Sequence, residues 1–74
     1  MRSLGSFLVV FDNAVTEANG ADQPRTVGPV HLTDEQLVAL QRRANAAFDR
    51  QRFIVSRQKE WASDKWLVTI TPHG

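Results

Sequence analysis

Between residues 33 and 50 the apolar positions recur with a helical period. Leu37, Leu40, Ala44, Ala47 and Phe48 fall within roughly one 100° arc when successive residues are placed about 100° apart. That arc is the expected core face, and Val38 lies off it. The start of this helix is marked by Thr33, whose hydroxyl suits an N-cap, and by Gln36 three residues later, which completes a capping box. Leu32 and Leu37 are spaced for a hydrophobic staple across the cap. Asp34 and Glu35 suit the positive end of the helix dipole, and Arg50 and Arg52 the negative end.

Elsewhere the apolar positions follow a two-residue period. Residues 6–11 read as a first strand with Phe7, Val9 and Phe11 on one face and Leu8 and Val10 on the other. Both faces are apolar, which suits a strand covered on both sides. Residues 52–60 form a second strand, with Phe53, Val55 and Arg57 opposite Ile54, Ser56 and Gln58. Residues 66–71 form a third, with Trp66, Val68 and Ile70 opposite Leu67, Thr69 and Thr71, and Pro72 ends it. The last two strands make a hairpin around residues 61–65.

Residues 12–31 carry little pattern. Asn19-Gly20 is a turn dipeptide, and Pro24 and Pro29 bias the residues before them away from helix. Either residues 14–18 extend the first strand and residues 25–27 return as a short edge strand, or the whole stretch is a loop. The fold class expected is α+β in the order β-α-β-β. One helix packs on one face of a three- or four-stranded, mainly antiparallel sheet. The uncovered face would then hold Leu8, Val10, Ile54 and Leu67, enough apolar surface to expect that it, or a sheet edge, meets another chain.

At 74 residues the chain is a single domain with a small core. It has no Cys, so disulfides and thiolate metal sites are excluded. The two histidines, His31 and His73, lie far apart in sequence, and no metal or cofactor is expected. The longest apolar run, residues 7–11, is far below the roughly 20 residues of a membrane span, and too short for a signal peptide, so a cytoplasmic chain without a membrane partner is expected.

Charge changes the picture by its distribution. Residues 1–40 hold two basic and five acidic side chains; residues 41–74 hold seven basic and three acidic ones. Arg42, Arg43, Arg50, Arg52, Arg57 and Lys59 suggest a continuous basic patch. Ala39 and Ala46 flank Arg43 and Arg50 on the outer side of the helix. Trp61 and Trp66 bracket the hairpin turn, and Trp61 stands among charged residues.

Catalytic signatures are missing from the sequence. There is no Gly-x-Ser-x-Gly, no His-x-x-x-His, no paired-carboxylate signature and no glycine-rich phosphate loop. No enzyme activity is expected. The expected function is a non-enzymatic protein-interaction module, an inhibitor or adaptor that binds a larger partner protein, of the kind that phages and mobile elements encode. Its partner-binding residues would be Arg43, Arg50 and Trp61, with Arg42, Arg57 and Lys59 around them. The alternatives are a nucleic-acid-binding protein using the same basic residues, and a homodimerising structural subunit. The isoelectric point near 8.4 is below the value of about 9 usual for a committed nucleic-acid binder.

Overall fold

The computed structural model describes residues 4–60 and 64–73. In chain order their elements are α1 (Leu4–Ala21), β1 (Arg25–Val30), α2 (Asp34–Ala47), β2 (Arg52–Lys59) and β3 (Trp66–His73). The fold is α+β with an antiparallel three-stranded sheet, but two helices cover it rather than one.

The correction lies at the start of the chain. Residues 6–11 are helix, and so are residues 14–18. Over a longer window the apolar buried and half-buried positions of α1 are Phe7, Leu8, Phe11, Ala14, Val15 and Ala18, a helical spacing that five residues do not reveal. Asn19-Gly20 lies inside the last turn. The helix stops at Asp22, whose φ of 55° is left-handed, and Pro24 follows. Of the two readings of this stretch, the short edge strand at residues 25–27 is present and runs on to Val30, but it pairs with β3 rather than returning from an extended first strand.

The strand order is β1-β3-β2, so the last strand is the central one. Both pairings are antiparallel, with Arg25 opposite Ile70 on one side and Val55 opposite Ile70 on the other. Pro72 does not end β3. It stands opposite Phe53, whose own N–H points away from β3 and bonds to α2. The ladder to β1 begins at Ile70, so the missing N–H of Pro72 is not required there.

The capping box of α2 forms as the sequence predicts. The Thr33 hydroxyl accepts from the Gln36 N–H at 3.1 Å, and Gln36 Oε1 accepts from the Thr33 N–H at 2.8 Å. The helix ends at Ala47, earlier than expected, because Phe48 turns into extended backbone and packs on Phe53 at 6.3 Å between ring centroids. Ala47 is exposed rather than in the core, and Arg50 lies beyond the helix. Val38 is exposed, as its position off the core arc implies.

The core lies between the two helices and one face of the sheet. Phe11, Val68 and Ile70 are fully buried, and Leu40 is nearly so. Buried alanines at positions 14, 18 and 44 leave room for Phe53, Val55 and the β3 side chains beneath. The other sheet face is more polar than the sequence pattern implies, because Leu8 and Val10 belong to α1. It holds Ile54 and Leu67 among threonines, with the Thr26 and Thr69 hydroxyls hydrogen-bonded at 3.1 Å. Among the described residues no helix is long and apolar enough to cross a membrane.

Two glycines make opposite demands. Gly28 has φ of 119°, and a Cβ there would stand 2.9 Å from the Trp66 carbonyl oxygen. Gly20 is helical and open, with nothing within 4 Å of its Cβ position. Gly28→Ala is expected to destabilise the fold by about 1–3 kcal/mol. Gly20→Ala is expected to be neutral or to stabilise by up to about 1 kcal/mol. Urea unfolding of both variants checks this; equal effects would contradict the local geometry.

Candidate cleft and the placement of the basic residues

A half-open cleft of about 780 Å³ lies among the described residues. Four pieces of backbone position it, one of them the cap and first turn of α2, with Thr33 and Gln36. The first half of α1 supplies Phe7 and Val10. The end of β1, bent by a bulge between Val27 and Val30, supplies Pro29 and Val30. The start of β3 supplies Trp66, opposite Val30 in the ladder. Leu32 closes the floor, and His31 and Lys65 add polar groups at the wall. The hairpin end is fixed by the Glu60 N–H donating to the Lys65 carbonyl at 3.0 Å.

Trp66 is the junction of this wall. The Arg57 guanidinium carbon lies 4.3 Å from the ring centroid, and Lys59 Nζ lies 5.3 Å from it. Both contacts have cation–π geometry, worth roughly 0.5–2 kcal/mol depending on desolvation. Arg57 also donates from Nη1 to the Leu32 carbonyl at 3.0 Å and from Nη2 to the Asp34 carboxylate. Its side chain is only 20% exposed. Arg57 therefore ties β2, Trp66 and the first turn of α2 together.

Arg43 has a structural partner that the sequence does not suggest. It forms a two-pronged pair with Asp12 of α1, Nε to Oδ1 at 2.7 Å and Nη2 to Oδ2 at 2.6 Å. The planar guanidinium matches the carboxylate fork, so the pair fixes both side chains as well as linking the two helices. The hydrogen bonds from Arg43, reinforced by its charge, hold the Asp12 carboxyl below its ordinary range against the opposing effect of burial. The same bonds raise the Arg43 guanidinium above its ordinary value. Ala39, Ala46 and Ala47 line the shallow groove around this pair, with Arg42 beside it.

The basic residues stand in three different settings. Arg57 and Lys59 gather around Trp66 near the first turn of α2. Arg50 and Arg52 lie at the other end of that helix. Along β2 the seven steps from Arg52 to Lys59 span roughly 23 Å at about 3.3 Å per residue. Arg42 and Arg43 sit on a third surface, the groove between the helices. Trp61 lies outside the described residues.

Sequence reasoning missed Phe7, Val10 and Asp12 as site-forming residues because it placed them on or after a strand. It placed Trp66 beside the hairpin turn and did not foresee its cations. The signal that finds the first three is the helical spacing from Phe7 to Ala18. Among the described residues no group of three or more acidic or histidine side chains comes together as a metal site.

Comparison with protein-family models, curated proteins and solved structures finds no match for this chain. The Asp12–Arg43 pair carries its own test. A carboxyl whose folded pKa is lowered adds stability above its unfolded value of about 3.9. That contribution is lost as pH falls through the folded value. Asp12→Asn is therefore expected to lower the melting temperature at pH 7, and the gap to the parent protein should close as the solution is taken below about pH 3.9. Thermal unfolding across that range checks it, and a gap independent of pH would rule the pair out as its source.

Proposed function

We propose that the chain is a non-enzymatic protein-interaction module that receives an apolar segment of a larger partner protein in the cleft beside Trp66. The observation that carries this reading is the exposure of α1 beside the cleft. Residues 7–11 are apolar around the whole helix, yet the core uses only one side of it. Val9 is 63% and Val10 50% exposed, and Val10 lines the cleft. An exposed aliphatic pair beside a cleft that combines Phe7, Val10, Val30, Leu32 and Trp66 with polar groups has the mixed composition of an interface, apolar at its centre and polar at its rim. Trp66 supplies an aromatic anchor, and Lys59 and Arg57 hold its ring.

The inhibitor or adaptor role, including the phage or mobile-element type, is the form of this activity that a chain of this size suits best. Nucleic-acid binding has less support, because the basic residues are divided among three surfaces and both Arg43 and Arg57 are engaged by carboxylates. A second copy of the chain is the competing occupant of the cleft.

The test starts from affinity capture of the partner in the source cells, followed by calorimetry with the purified pair. Val10→Asp changes an exposed side chain and is expected to weaken binding by about tenfold or more. Arg50→Glu, at the far end of α2, is expected to leave the affinity within about threefold. The reverse pattern, or steep salt-dependent binding to DNA or RNA, would transfer the function to the basic residues.

A further inference from the structure

The edge of β2 is closed from within the chain by two side chains of α2. Gln41 Nε2 donates to the Phe53 carbonyl at 2.5 Å, and Gln41 Oε1 accepts from the Val55 N–H at 2.8 Å. Asn45 Oδ1 accepts from the Phe53 N–H at 2.8 Å. These backbone groups point away from β3, on the side where a further strand would pair. One amide that gives a donor to residue 53 and an acceptor to residue 55 does what one residue of a neighbouring parallel strand would do, and so occupies groups that an antiparallel strand would also need. Gln41 and Asn45 are one helical turn apart, so a single face of α2 presents both.

The other edge is blunted differently. β1 carries a bulge between Val27 and Val30, and Pro29 has no N–H to offer. The start of β2 is thus the edge at which regular pairing would take place if it were open. Its sequence, Phe53-Ile54-Val55, is apolar and rich in β-branched residues. Beyond the seal the same edge continues into Arg57 and Lys59, charged residues of the kind that discourage strand addition.

We propose that Gln41 and Asn45 are an intramolecular seal on the β2 edge, and that removing it lets β2 of a second copy pair there antiparallel about a two-fold axis. Self-pairing is the expected outcome because an antiparallel strand can meet its own copy in one isologous contact, joining two three-stranded sheets into one. The seal is separate from the cleft: neither Gln41 nor Asn45 lines it, so partner binding and edge pairing can be tested apart.

Gln41→Leu tests this with two readouts. In dilute solution amide exchange at Val55 is expected to speed up by roughly tenfold as its side-chain acceptor is lost. At high concentration the light-scattering mass is expected to rise to twice that of the parent protein, with protection at Val55 restored. Gln41→Glu is the control. It loses the bond to the Phe53 carbonyl but places a charge on the edge, and its mass should stay at the parent value. Where Gln41→Leu does not fold, Asn45→Ala opens the Phe53 N–H alone and is read at that amide in the same way. Unchanged exchange at Val55, an opened edge that stays at parent mass, or doubling by Gln41→Glu as well would each overturn the proposal.

Discussion

Everything in this fold depends on β3 standing between β1 and β2. It is the only described strand with a partner on each side, and its inward side chains Val68 and Ile70 are fully buried. Neither neighbour touches the other, so the sheet exists only once the last strand is in place. Arg25 meets Ile70 across more than half the chain. Closing such a span costs conformational entropy before any contact offsets it. The hairpin between β2 and β3 is local and reduces that cost. Once formed, it gives β1 an edge to join and gives both helices a surface to cover.

That arrangement explains which parts of the structure were legible in the chain. α2 was legible because its signals are local: a cap, its partner three residues on, and a single apolar arc. β2 and β3 were legible because one face is buried and the other open, which writes alternation into Phe53–Val55 and Val68–Ile70. α1 was not, because residues 7–11 are apolar on every side and fit a two-sided strand as well as a helix. Its true period appears only through Ala14, Val15 and Ala18, which are small and weakly hydrophobic. Arg43 followed from that error. Its partner Asp12 comes within reach only when the preceding segment is helical, and without it Arg43 looked free. The cleft was hidden for the same reason, since one of its walls is α1.

The electrostatics show how a run of like charge in sequence is dispersed by folding. Seven basic side chains in the second half of the chain suggest one patch. The helix and the strand after it carry them to different settings: Arg57 and Lys59 to Trp66, Arg42 and Arg43 to the groove between the helices. Two of the arginines then become structural. Arg43 joins the helices to each other, and Arg57 joins the sheet to the start of α2. In each case the planar fork of arginine does what the point charge of lysine does not, by satisfying two acceptors in fixed directions. Acidic residues of the first half, Asp12 and Asp34, supply the partners, so the charge asymmetry along the sequence serves to hold its two halves together.

A chain this small has one layer of helix for one layer of sheet, and it must decide which surfaces to leave open. The pattern of closure is uneven. The β2 edge is occupied by Gln41 and Asn45, the β1 edge is bent by its bulge, and the groove between the helices is bridged by Asp12 and Arg43. The outer sheet face sets Ile54 and Leu67 among threonine, serine and glutamine, which water solvates well. Val9 and Val10 have no comparable treatment: a helix that places valines toward solvent beside a cleft gains nothing in stability from them. Two polar residues there would serve a solitary domain better. Val38 and Ile54 are exposed to a similar degree but stand singly, whereas Val9 and Val10 are adjacent, and it is on that adjacency beside the cleft that the proposed recognition by the first half of α1 rests.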